Sequence, residues 1–155
     1  MIDPETLLEH FESRLLSLAI SGVGAASVNT GGEPFRHAGK GLWFEIAAEP
    51  AEEAGSTETL ERRFWTVVVT AVFPPGIGLA RGFAAARRVA ELYVPSDPEL
   101  GAFTLEGARF YTVRVTLEKS RFADGQIRLP VTFRFLALVP YRRLSPSGVE
   151  RPQRP

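Results

Sequence analysis

A glycine-rich corner is the first place in this sequence where residue types and spacing could do chemistry. "FPPGIGLARGF", Phe73 to Phe83, carries Gly76-x-Gly78 and then Gly82. Glycines before a helix can cradle a phosphate, because bare backbone N–H groups and the helix's positive end converge on one spot. The dinucleotide fingerprint Gly-x-Gly-x-x-Gly needs a third glycine at position 81, which here is Arg81; the glycine comes one residue later. Two prolines precede the turn, and no Gly-Lys-Ser or Gly-Lys-Thr follows, so the P-loop pattern is missing too. The simpler assignment is structural. Pro74 and Pro75 stop a strand, Gly76 and Gly78 turn the chain, and Gly82 lets a helix approach a sheet closely.

The other reactive residues are scattered. His10 lies beside Glu9 and near Glu12, without the i, i+4 partner that a helical metal site uses. His37 sits near Phe35, Arg36 and Lys40, where it could touch a partner, but no nucleophile accompanies it. Ser13, Ser17, Ser21 and Ser27 have no nucleophile-elbow context. Glu52-Glu53 and Asp97 with Glu99 are paired carboxylates, the currency of glycoside hydrolysis, yet loop carboxylates are usually just solvated. The absence of cysteine removes disulfides, thiolate metal sites and a cysteine nucleophile. The expectation is a protein that is not an enzyme, with no catalytic set, no metal site and no cofactor.

Eighteen basic residues balance eighteen acidic ones. Nothing pulls the whole chain toward nucleic acid or anionic lipid, and no sequence-specific nucleic-acid binding is expected. No apolar run approaches the length of a membrane span. The start, "MIDPETLLEHFESRL", lacks the basic and apolar blocks of a signal peptide.

The elements that would position these residues follow from periodicity. Asp3-Pro4 reads as an N-cap and first helical residue, and Leu7, Leu8, Phe11, Leu15 and Leu18 give a helical stripe over roughly 3–20. A Gly-rich loop covers 21–41. Strands are expected at 42–50 and 62–73, the second apolar on both faces and therefore central. An acidic loop, 51–61, separates them. A helix over 79–94 follows, with Arg81, Arg87 and Arg88 off its apolar stripe. Strands at 109–119 and 127–138 alternate around an Asp124-Gly125 turn and form an antiparallel hairpin. In the first, Tyr111, Val113, Val115 and Leu117 should share the inner face. In the second, Ile127, Leu129, Val131, Phe133 and Phe135 face in, and Pro130 marks an edge strand or a bulge. The fold class is α+β: a mostly antiparallel four-stranded sheet packed against two helices, in the order α-β-β-α-β-β. One domain spans 1–141, and the Pro- and Arg-rich stretch 142–155 is a flexible tail.

Candidate contact residues lie in the loops and on the helix flank. Arg81, Arg87 and Arg88 either form a solvated face with Glu91 or a charge patch complementary to Glu52 and Glu53 in a neighbouring subunit. Phe35, with Arg36 beside it, and Phe122, with Lys119 and Arg121, are aromatic residues in polar loops. Each either anchors a partner's pocket or tucks back onto its own core.

The order of elements, together with "WTVVVTAVFPPGIG", "VAELYVP" and "IRLPVTFRFLA", resembles the tail terminator (tail completion) proteins of long-tailed bacteriophages, over roughly residues 3–140. That resemblance implies an α+β fold and a self-assembled ring, commonly a hexamer. Such a ring caps the last disc of tail-tube protein, stops its polymerisation and meets the head–tail connector. It implies a virion component made in the host cytoplasm, working by geometry rather than by catalysis. Other neck or adaptor proteins share such a small α+β body. A ligand- or nucleotide-binding domain using the Gly76–Gly82 corner is the contrasting possibility.

Overall fold

The computed structural model describes residues 2–31, 41–53, 55–57, 59–95 and 97–140. Phe35, Arg36, His37 and the tail 142–155 fall outside the described residues.

Asp3 and Pro4 open the first helix, α1 (Pro4–Leu16), and the Asp3 carboxylate accepts from the Glu5 N–H at 2.9 Å. Leu7, Phe11 and Leu15 are its buried stripe. The helix stops short of the expected residue 20. The N–H groups of Leu18 and Ala19 reach back only to Leu15 and Leu16, and Ala19 takes a φ of 51°. The second helix, α2 (Leu79–Ala90), buries Gly82, Ala85, Ala86 and Val89. It too ends early, although Leu92 and Tyr93 beyond it remain buried.

The sheet is larger than four strands. Its members are β1 (Val28–Asn29), β2 (Trp43–Glu53), β3 (Leu60–Phe73), β4 (Ala102–Leu105), β5 (Ala108–Leu117), β6 (Arg121–Ala123) and β7 (Gln126–Pro140). They lie in the order β1-β2-β3-β7-β5-β4, with β6 also paired to β7. Among the described strands, only β1 and β2 run parallel. The four expected strands are the centre, and the additions are short. A strand of two or three residues, such as β1 or β6, shows no alternation to read. β4 is announced by the Glu106-Gly107 turn, both residues at positive φ (48° and 79°), which closes a tight β4–β5 hairpin.

β3 is central, as its apolar faces required, paired to β2 on one side and β7 on the other. β7 is also central, contrary to the edge position that Pro130 suggested. The reason is local. The Pro130 carbonyl accepts from the Glu118 N–H at 2.9 Å, in the gap between β5 and β6. A strand residue sends its N–H and C=O to the same side, so the N–H that proline lacks would point into a break in the neighbouring strand.

Both helices cover one face. Trp65, Val67, Val69, Ala71 and Phe73 of β3 and Leu129, Val131, Phe133, Phe135 and Ala137 of β7 are buried there. Phe11 of α1 meets Phe133 and Phe135 edge-on, with centroids 5.3 and 5.7 Å away. β5 departs from its expected orientation. Ala108, Phe110 and Thr112 face the core, while Tyr111 and Val113 are exposed at 43% and 47%. A β-bulge between Thr112 and Arg114 then flips the phase, so Val115 pairs with the core residue Phe133.

Candidate interaction surface

The glycine corner is a packing device. Pro75–Ile77 forms a single 3-10 turn, and Gly78, at φ 93°, caps α2. A Cβ on Gly82 would stand 2.1 Å from the Phe73 ring, so the helix rests on that ring through bare backbone. Around Gly76, by contrast, a Cβ would meet nothing within 4 Å. The third glycine therefore holds α2 against β3 instead of facing a ligand.

His10 does join a cluster. Its Nε2 lies 2.5 Å from the Tyr93 hydroxyl, and its ring stacks on Phe103 with centroids 4.3 Å apart. The Arg14 guanidinium stands 5.7 Å from the centre of the Tyr93 ring. Burial lowers the His10 pKa, and Arg14 lowers it further. Burial pushes the Tyr93 hydroxyl up to about 12, against the pull of Arg14. These contacts of His10 tie α1 to the segment after α2 and to β4. Among the described residues no group of three or more His, Asp or Glu is arranged to hold a metal ion.

Asp97 is engaged by the backbone of its own turn. One Asp97 oxygen accepts from the Glu99 and Leu100 N–H groups at 2.8 and 2.9 Å. Those bonds, Leu100's first, lower the Asp97 pKa and fix a local turn. An open depression of about 410 Å³ lies between Glu5, Leu8 and Glu9 of α1 and Thr30 and Gly31, and a small cleft of about 80 Å³ is lined by Ile2, Pro4, Pro50, Trp65 and Val139 with Glu61 and Arg63 at its wall. The cleft is smaller than the ~150 Å³ cavity that takes one benzene ring.

The expected contact residues fall into separate groups. Arg88 donates to the Leu18 carbonyl, and Arg81 donates to the Ser21 carbonyl at 3.5 Å. Both hold the turn that follows α1, and all three arginines, Arg87 included, are exposed. Glu52 and Glu53 belong to the end of β2 rather than to a loop. Lys119, Arg121 and Phe122 are exposed together along the β5–β6 flank, and Phe122 is open to solvent at 66%, so it does not tuck onto its own core. Tyr111 and Val113 add to this flank. Their part was hidden in the sequence, because the bulge that turns them outward leaves the alternation of residue types intact. Opposite the helices, Arg128 of β7 pairs with Glu45 of β2 and stands 6.0 Å from the Trp43 ring.

No known family model matches the chain, and no curated protein matches it in sequence. Solved structures do match in fold. One, whose name carries no function, superposes with a TM-score of 0.61 at 18% identity, covering 92% of this chain and 100% of its own. Another is a chain of the "virion of native gene transfer agent (GTA) particle", with a TM-score of 0.53 at 18% identity, covering 88% of this chain and 96% of its own. At this identity the likeness is one of fold.

Proposed function

We propose that this chain is a structural virion protein, the terminator of a phage-type tail. It forms a closed ring on the last disc of the tail tube, stops polymerisation there and presents its other face to the head–tail connector. The observation that carries this reading is the match, over nearly the whole of both chains, to a chain of a gene transfer agent virion. The surface is in keeping with it. Phe122, Tyr111 and Val113 are apolar and exposed beside Lys119 and Arg121, as suits a protein that closes its surface against neighbours. In the glycine corner, the one place where the sequence suggested a phosphate site, Gly82 is packed against Phe73 while Gly76 and Gly78 have open space around them.

The test is the mass of the purified chain by light scattering, followed by its addition to growing tail tubes viewed by electron microscopy. The expected result is a ring of about six protomers and tubes that stop lengthening. A chain that stays monomeric and leaves tubes growing removes the terminator reading. A chain that binds the connector but ignores the tubes is instead a different neck component.

A further inference from the structure

The geometry points to a head-to-tail contact between copies of this chain, in which the basic β5–β6 flank of one copy lies along the acidic β2 flank of the next. The inference rests on the ring reading above and names the surfaces that would build the ring.

One flank is an unfinished sheet edge. β4 pairs with β5 only as far as Tyr111, and the Thr112 N–H still reaches the Gly101 carbonyl at 2.7 Å. From Val113 through Leu117, and on through β6, no strand among the described residues lies on that side. The segment is rich in β-branched residues and leaves a row of backbone donors and acceptors open, the usual template for adding a strand. Its side chains are also exposed: Val113, Leu117 (38%) and Phe122. From Ala108 to Ala123 the charges are Arg109, Arg114, Lys119 and Arg121 against Glu118 alone.

The opposite flank carries the other sign. β2 carries Glu49, Glu52 and Glu53 with no cation of its own, while its Glu45 already pairs with Arg128 of β7. β1 pairs with it only at Phe44 and Glu45, so from Ile46 onward no described strand covers its outer side. β3 and β7 separate the two flanks. A two-fold dimer through either flank would set like charges against each other, which is costly. Pairing one flank with the other satisfies both, and a contact between two different patches propagates until it closes as a ring. The bulge at Val113 and Pro50 within β2 discourage indiscriminate edge pairing, leaving charge to select the partner.

The experiment reverses charge one flank at a time in the full chain. The first variant carries Arg114→Glu, Lys119→Glu and Arg121→Glu; the second carries Glu49→Lys, Glu52→Lys and Glu53→Lys; the third carries all six. Light scattering gives the mass, and circular dichroism confirms the fold. Each one-sided variant is expected to be a folded monomer, and the six-fold variant to recover the wild-type mass. One-sided variants that keep the wild-type mass overturn the inference while leaving the ring reading standing. So does a folded six-fold variant that stays monomeric. A wild-type chain that is monomeric at every concentration and at low salt, where such attraction is strongest, also overturns it, and the ring reading then depends on tube capping alone.

Discussion

His10 sits in an environment that changes its chemistry. Its ring is stacked on Phe103 and bonded to the Tyr93 hydroxyl, and both burial and Arg14 disfavour its charged form. Arg14 is the charged group that acts on the pair, and Tyr93, raised to about 12, stays protonated at any ordinary pH. The folded-state pKa lies below the ordinary 6.5, so the unfolded chain takes up the proton first as pH falls. The contribution to stability is whole above about 6.5 and is lost as pH drops through the folded value. Between about pH 7.5 and about pH 5 the melting temperature should therefore fall further in wild type than in a His10→Gln variant, which cannot titrate. Equal slopes in thermal melts would show that His10 titrates freely. The cluster was invisible in the sequence, since His10 and Tyr93 lie 83 residues apart. Periodicity placed each on its element but could not bring the two elements together.

At the scale of elements, the helix–sheet contact at Gly82 sets two effects against each other. Alanine in a helix is favoured over glycine by about 1 kcal/mol. Here, however, its Cβ would sit 2.1 Å from the Phe73 ring, and overpacking of this kind costs about 1–3 kcal/mol. The clash should win. Gly82→Ala is expected to lower the urea midpoint, while Gly76→Ala, with open space around it, should stay within about 0.5 kcal/mol of wild type. Equal effects at the two sites would mean that α2 is free to lift from β3. The same scale explains where reading by pattern failed. Pro130 signalled an irregularity correctly, but the irregularity is in its neighbour, the break between β5 and β6. Tyr111 and Val113 alternate correctly with Thr112, yet the bulge puts the opposite set inside.

At the scale of the whole molecule, one sheet buries a single aromatic core beneath two helices. α1 lies against β2, so it is the far face and the β5–β6 flank that carry no helix among the described residues, and there core and contact surface are separable. Phe122 tests the separation. Being 66% exposed, its replacement by aspartate should change stability by no more than about 0.5 kcal/mol while abolishing assembly. A folded variant that keeps its assembled mass would remove Phe122 from the contact, and an unfolded one would show that it supports the protomer.

The sequence by itself determined the class of fold, the two helices, the four long strands, the inner face of β7 and the structural character of the glycine corner. Each depends on spacing within a dozen or so residues, where residue type and backbone period act on each other directly. Only the tertiary structure decided that the sheet has seven strands among the described residues, that Arg81 and Arg88 bind the chain's own backbone, and that β2 and the β5–β6 strip lie on opposite flanks of the sheet. Those features depend on which strand lies beside which. That choice is made by the burial of one shared core, to which segments far apart in the chain contribute together.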